Sequence, residues 1–506
     1  MTMPSSSPTS AAEQALIRWL DATSAAAGAD ALAELRRRLA DEGLAGTDGP
    51  ELRVRVGAAA AAQVARMCER FCAEADGLGL PLSVALFERQ DGLARLVVDV
   101  ADALADGVER ASGAQDDKGD KSALALRGLA LLAGAFKVCG LAATEPPRGF
   151  WRVAHRLVRS AGLGKDAPTT QAYLRLLTVA VSQPEGLSGS ELVWLFDFLD
   201  ERLLAAAGFA PGGPAVTDAP WWIDLGSDAG PNAVARRALP AEHVRSADVW
   251  SFNPRQMAQR LGECVDWVTA NLTAAELAGT QCDVAPLASE EAGFPSGLAP
   301  LEILALLKRL RALWMNVPVR EQPRRAQRYV VEVCTGLNAV WQLGRGGGDR
   351  RTLPLQEWAV LNESPGGLAI MRVTGVEGEV EAGSMLVLRR SADQPWSVCV
   401  VRWVRSEHPG QIELGLQIIG IGFQSVEVGF RGRGVQSLTP ALALPVMEPV
   451  RRHPAMLAPA GTYASRRFVF VRDGASVYVA QARALGLDMQ TARVELFQYE
   501  HDPYPI

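Results

Sequence analysis

The chain is poor in the residues that most often build catalytic centres. Its 506 residues include five histidines, His155, His243, His408, His453 and His501, with no paired spacing among them. His-Glu-x-x-His, Gly-x-Ser-x-Gly and Cys-x-x-Cys are all missing, which removes the usual signatures of zinc hydrolases, serine hydrolases and dithiol redox centres. Gly420-Ile-Gly422 stands in apolar, strand-like text and lacks the third glycine and the following helix of a dinucleotide fingerprint. Catalysis needs a nucleophile, a base or a metal in a concave site. The sequence presents no such set, so the expectation is a protein that is not an enzyme, with no catalytic residue and no metal ligand.

Other absences narrow the class further. Seven cysteines is an odd number in a long chain and does not describe a disulfide framework. Cys68 and Cys72, four apart on one helical face, could share a metal, but no other Cys or His lies near them in sequence. They read as small buried residues. An excess of basic residues is lacking: the net charge is -6, which argues against wholesale nucleic-acid binding. The opening MTMPSSSPTS has no apolar core of the signal-peptide kind. The most apolar stretch, 123–143, is interrupted by Arg127 and Lys137 and falls short of the roughly 20 apolar residues that span a bilayer. The expectation is a cytoplasmic protein with no membrane span.

What is present is enough apolar text, 48%, to form real cores, over a length that suggests two to four domains. The character of the text changes near residue 318. Before it, apolar residues recur at three- and four-residue intervals over 12–44, 51–76, 83–111, 122–142 and 149–161, which predicts helices. Ser188-Gly-Ser-Glu191 and Thr273-Ala-Ala-Glu276 read as capping boxes, and Asn253-Pro254 as a cap with proline in the first turn. The stretches 112–121 and 209–245 read as loops. Trp221 and Trp222 in the second could anchor a partner or pack on the helices. No fixed-period repeat is visible.

After Pro318, short strand-like runs appear at 329–333, 358–361, 368–373, 385–388, 396–404 and 412–419, the spacing of a small antiparallel barrel or sandwich. A second β-rich piece holds 468–471, 477–480 and 494–497, separated from the first by the proline-rich 438–459. The predicted organisation is multidomain α and β. It runs from a disordered start (1–11) through an all-α helical domain (12–315) and a basic linker (316–328) to an antiparallel β-barrel (329–430) and a C-terminal β-rich module (450–506).

The chemistry concentrates around the first barrel. Between Lys308 and Arg328 stand Lys308, Arg309, Arg311, Arg320, Arg324, Arg325 and Arg328 against one acid, Glu321. Arginine offers a planar fork that grips phosphate bidentately and stacks on flat rings. Two arginines four apart beside a rigid strand could clamp a phosphate and a base together, although a solvated basic linker would read the same way. Further on, Trp358-Ala-Val-Leu361 breaks at Asn362-Glu-Ser-Pro-Gly-Gly367 before Leu368-Ala-Ile-Met-Arg-Val373. Those polar residues are ordinary turn chemistry.

Taken together and in this order, Arg324-x-x-x-Arg328 before a first strand and Asn362-x-Ser364-x-x-Gly367 after a second resemble the PilZ domain family. The later VCVVRWVRSE and IELGLQIIG, with Gly415, look like that family's final strands. The resemblance covers about residues 320–425. It implies a small β-barrel that binds the bacterial second messenger cyclic di-GMP, with no further cofactor. It implies ligand contacts from Arg324, Arg325, Arg328, Asn362, Ser364 and Gly367: arginines on phosphates and guanine faces, and the turn on the other side of the ligand. The helical domain would then be the output part, acting on an unknown protein partner in motility, biofilm or surface behaviour. In the competing reading the domain is degenerate and serves as an interaction module. One departure stands out: 337–355, with GRGGGDRRTLPL inside it, is longer than a minimal barrel needs. It reads as a flexible insertion whose Arg350 and Arg351 could cover a ligand.

Overall fold

The computed structural model describes residues 18–19, 29–39, 50–111, 118–164, 167–240, 246–271, 293–317, 323–346, 354–373, 378, 380–430, 438–463, 467–473 and 477–502. The predicted disordered start, the cap at Thr273–Glu276, Arg320, Glu321, Arg350 and Arg351 lie outside these residues. The chain divides into two compact units. One comprises Met1–Asp76, Val84–Val181 and Leu199–Gln256; the other comprises Gly77–Ser83, Ser182–Phe198 and Met257–Ile506.

Among the described residues, the longer helices of the first unit are α1 (Ala29–Leu39), α2 (Pro50–Ala75), α3 (Val84–Ala111), α4 (Lys118–Leu141), α5 (Phe150–Ala161) and α6 (Pro168–Val181). The predicted periodicity is the packing stripe. In α3, Leu93, Val97, Val100, Leu104 and Val108 recur every three or four residues and are all buried. Helix α4 packs against α2, α3, α5 and α6. Its stretch Asp120–Leu141 is long and apolar enough to cross a membrane by length and composition, and 56% of its apolar 18-residue window is buried. Arg53 of α2 and Arg156 of α5 share the carboxylates of α3: Arg53 Nη2 lies 2.7 Å from Asp102 and Arg156 Nη2 lies 2.8 Å from Asp106. Cys68 is buried, as read from the sequence, and burial pushes its thiol pKa well up.

The region expected to be all-α also contains a four-stranded antiparallel sheet in the order β1-β4-β2-β3, made of β1 (Gly208–Pro211), β2 (Trp221–Asp224), β3 (Asn232–Ala233) and β4 (Val249–Asn253). Strands of two to five residues in glycine- and proline-rich text leave no periodicity to detect. Trp221 and Trp222 are buried in β2, and Trp222 Nε1 donates to the Arg237 carbonyl at 2.9 Å. They are core residues of the unit.

In the second unit, α7 (Gly189–Phe198) starts at the predicted capping box: Glu191 N donates to Ser188 Oγ at 3.2 Å, and Ser188 N donates to Glu191 Oε2 at 3.0 Å. Most of α8 (Arg255–Asn271) and all of α9 (Pro300–Met315) belong here too. Arg309 of α9 pairs with the buried Glu191, and Trp314 Nε1 donates to Ser182 Oγ at 2.9 Å. The compact division therefore assigns 182–198 and 257–315 to the unit that holds the β-structure, where the sequence had suggested one helical domain up to 315.

That β-structure is two closed six-stranded antiparallel barrels. The first joins β5 (Arg325–Thr335), β6 (Leu355–Ser364), β7 (Gly367–Arg372), β8 (Met385–Arg389), β9 (Ser397–Arg405) and β10 (Ile412–Ile421) in the cyclic order β10-β7-β6-β5-β8-β9. All six coincide with predicted runs. The second joins β11 (Gln424–Phe430), β12 (Thr439–Leu444), β13 (Ala455–Pro459), β14 (Arg467–Arg472), β15 (Tyr478–Gln490) and β16 (Val494–His501) in the order β11-β12-β13-β16-β15-β14. It begins at 424. Residues 424–430 therefore leave the first barrel, and the stretch read as a proline-rich separator supplies β12 and β13. The second barrel is filled by Phe430, Phe468, Phe470, Phe497 and Tyr499.

The expected flexible insertion is half helix. Leu337–Arg345 forms α10, which lies against β5, β8, β11 and β12. Its Leu337, Val340, Trp341 and Leu343 contribute to a hydrophobic cluster shared by both barrels. Trp341 Nε1 donates to the Val426 carbonyl at 2.7 Å, and Ser425 Oγ donates to the Trp341 carbonyl at 2.6 Å. The apolar residues of this helix are followed at once by the glycine run 346–348, which masks a helix of nine residues in the sequence.

Candidate ligand-binding site

The two sequence motifs meet. Arg324, one residue ahead of β5, donates from Nη1 to Asn362 Oδ1 at 3.0 Å. The pairing of β5 with β6 makes this possible, because it sets Ala326 opposite Asn362 and Arg325 opposite Glu363. The predicted linker is thus partly strand: β5 already includes Arg325 and Arg328. The ladder shifts between Ala326 and Tyr329, so Arg328 sits in an irregular stretch of the strand. Arg325 and Arg328 are exposed and, among the described residues, form no ion pair. The Arg328 guanidinium thereby stays available to an anion near the Arg324–Asn362 contact, whereas Arg325, in the row of Glu363 and Leu368, starts on the opposite face of the ladder.

The turn itself is a two-residue hairpin loop, Pro365-Gly366, closed by the pair Ser364–Gly367. Ser364 Oγ donates to the Gly367 carbonyl at 3.2 Å, so this hydroxyl braces the turn. Gly367 is buried, and a β-carbon on it would lie 2.2 Å from the Leu416 carbonyl of β10. Its lack of a side chain serves the close approach of β7 to β10 rather than an approach of backbone to ligand.

Register extends the site beyond the motifs. Ala326, Asn362, Ala369, Gly415 and Trp403 are successive partners across β5, β6, β7, β10 and β9. Partners on neighbouring strands share a face. The adjacent row, Val360, Ile370 and Leu414, is fully buried in the barrel interior. The Asn362 row therefore lies on the outer face. There a β-carbon on Gly415 would fall 1.9 Å from Trp403 Nε1, so the half-buried indole lies directly over that glycine. The outcome is a shallow surface with a floor of small residues. An amide stands on one side, a flat indole on the other, and arginines line the rim. In the sequence Trp403 is only strand text, since its place on the Asn362 row, three strands away, comes from long-range register.

At the rim, Tyr329 donates from its hydroxyl to Glu363 Oε2 at 2.6 Å, and the Arg390 guanidinium lies 4.3 Å over the Tyr329 ring. Burial, followed by the bond to Glu363, pushes the Tyr329 pKa up to about 12. The phenol is held neutral, and the Tyr329–Glu363 contact ties the first turn of β5 to the end of β6. Such a surface suits a ligand that combines anionic oxygens with flat aromatic rings. The phosphates would meet guanidinium groups, a ring would stack on the indole or a guanidinium, and an edge would meet the Asn362 amide. Among the described residues no cluster of His, Cys, Asp and Glu could hold a metal ion.

Comparison with known proteins agrees with this architecture. Residues 14–209 match the family model described as cyclic-di-GMP receptor FimW, N-terminal domain, and residues 342–422 match the one described as cyclic-di-GMP receptor FimW, middle PilZ domain. Asn362, Ser364, Gly367, Trp403 and Gly415 fall inside the second match; Arg324, Arg325 and Arg328 precede it. A stretch of 108 residues is 28% identical to the cyclic-di-GMP receptor FimW of Pseudomonas aeruginosa, covering 21% of this chain and 18% of that relative. The match thus spans less than a fifth of the relative's length. No solved structure matches the chain. Over residues 14–209 and 342–422, the chain carries the N-terminal domain and the middle PilZ domain of the FimW family.

Proposed function

We propose that the chain is a bacterial receptor for cyclic di-GMP that carries out no chemistry on its ligand and works by changing how its helical part meets a protein partner in the cytoplasm. The observation that carries this reading is the hydrogen bond from Arg324 to Asn362, which brings both motifs to one spot on the outer face of the first barrel. In this reading Arg328 takes a phosphate by charge-assisted hydrogen bonds, and Arg325, exposed at the first position of β5, adds a further contact by reaching round the strand end. Arg324 exchanges its bond with Asn362 for the ligand, Asn362 meets a guanine edge, and Ser364 and Gly367 hold the turn that presents Asn362.

A route from the site to helical structure exists within the second unit. The short turn Pro184–Gly186 packs on β9, where a β-carbon on Gly186 would lie 3.0 Å from the Arg402 carbonyl, next to Trp403. Gly186 is also tied to Arg309 of α9, which pairs with Glu191 of α7. A ligand that prefers one position of Trp403 would bias this contact by its differential affinity, and by no more than that.

Calorimetric titration of the purified chain with cyclic di-GMP, with single-stranded RNA as the control, tests the proposal. Saturable heat with the dinucleotide and none with RNA is expected. Absence of binding to the dinucleotide would leave the barrel as an interaction module.

A further inference from the structure

The second barrel repeats the first. If the strands of each barrel are numbered one to six in chain order, both close in the same cyclic sequence, six-three-two-one-four-five. The coincidence extends to irregularities: in each barrel the ladder between the fifth and sixth strands carries two register shifts, at Gly415/Leu416 and Ile418/Gly420 in one and at Ala484/Gly486 and Leu487/Met489 in the other.

The same outer face can therefore be compared in the two barrels. On strands two, three and six of the first, the row is Asn362, Ala369 and Gly415, open enough to leave Asn362 half-buried. On the corresponding strands of the second, an outward row is Leu442, Leu457 and Leu496, paired across β12, β13 and β16. These leucines alternate with Ala443, Met456 and Phe497, which pack in the second barrel's interior cluster. All three are buried, Leu442 and Leu457 completely. They lie in the cluster that also contains Cys334, Met385, Val387, Val398 and Val400, which are outward residues of β5, β8 and β9.

We infer that the second barrel is a ligand-silent copy of the first, and that the face used for the ligand in the first is, in the second, permanently occupied by the first barrel itself. No arginine pair precedes β11 and no Asn-x-Ser-x-x-Gly follows β12: the corresponding text is IGIGF and PVMEPVRRH. The face has exchanged polar recognition for apolar docking, so the chain has one ligand face, not two. The assignment of the first face to a ligand rests on the function proposed above; the docking role of the second does not.

The test has two arms on the full chain. In the ligand arm, the double variant Arg328→Ala/Asn362→Ala should keep no cyclic di-GMP binding of the parent's affinity, because no second face remains. Binding by that variant at the parent's affinity would overturn the inference. If the parent binds nothing, the ligand reading fails alone and the docking arm decides. There, hydrogen exchange is followed in Leu457→Ala, with Val479→Ala on the exposed outer side of β15 as the control. Faster exchange at 385–389 and 397–401 of the first barrel is expected for Leu457→Ala only, with a melting temperature lowered by roughly 4–8 °C or more. Should exchange speed up within the second barrel alone, Leu457 is ordinary barrel core and the docking face is refuted.

Discussion

Arg324 Nη1 lies 3.0 Å from Asn362 Oδ1, so the two motifs bond to each other directly. Arg328, by contrast, forms no ion pair among the described residues. Removing Arg328 should therefore cost the full value of a charge-assisted contact, about 1.5–3 kcal/mol, or roughly a 10- to 150-fold weaker affinity for cyclic di-GMP. Arg324→Ala should cost less, because it also frees Asn362. Titration calorimetry of both variants, with melting temperature unchanged as the control, checks the order. Equal losses would mean that the Arg324–Asn362 bond survives in the complex.

Trp403 offers the flat surface of the site. Base stacking on an aromatic side chain is worth about 1–3 kcal/mol per base by alanine substitution. Trp403→Ala should weaken binding by about one order of magnitude, and Trp403→Phe by less. A Trp403→Ala affinity equal to that of the parent would show that the indole only covers Gly415.

Gly367 should behave unlike its motif neighbours. A β-carbon there meets the Leu416 carbonyl at 2.2 Å, and a backbone carbonyl within a barrel cannot swing aside. Gly367→Ala is expected to lower the melting temperature of the ligand-free protein by several degrees, whereas Asn362→Ala should leave it unchanged and weaken only binding. Thermal melts without ligand separate the two effects.

The helical unit carries a pH dependence at His155. Its Nε2 lies 3.0 Å from the Ala229 carbonyl and must donate, so Nδ1 accepts from the Tyr173 hydroxyl at 2.8 Å, which requires the neutral ring. Burial is the main reason its pKa falls to about 4 from an ordinary 6.5. A depressed histidine pKa contributes stability that is complete above about 6.5 and is lost as the pH falls through 4. The loss should be about 3 kcal/mol over that window. Denaturant unfolding between pH 7 and pH 4 measures it, and His155→Gln should flatten the profile while lowering stability at pH 7.

How far the sequence could be read depended on how local each signal was. The six strands of the first barrel were legible because turn chemistry bounds each run. In β6, Trp358 and Val360 are buried on one face while Ala359 between them is exposed. Strands β12 and β13 were not legible: Leu442 and Leu457 point to one buried cluster and Ala443 and Met456 to another, so alternation is erased. Both motifs were visible as text, because Arg324, Arg328, Asn362 and Ser364 are few and closely spaced. The rest of the Asn362 row was not, since Trp403 joins it through register across three strands. Gly367 was recognised as necessary, but its reason, the Leu416 carbonyl, is a long-range one.

The cluster shared by the barrels bears on any attempt to cut a minimal sensor from this protein. Only Gly422 and Phe423 separate β10 from β11, and Phe423 itself packs into that cluster. A fragment ending at 423 would keep every ligand contact proposed here, yet it would uncover Met385, Val387, Val398 and Val400 together. Such a continuous apolar patch invites aggregation. A soluble biosensor module would have to retain both barrels, or replace those four side chains with polar ones.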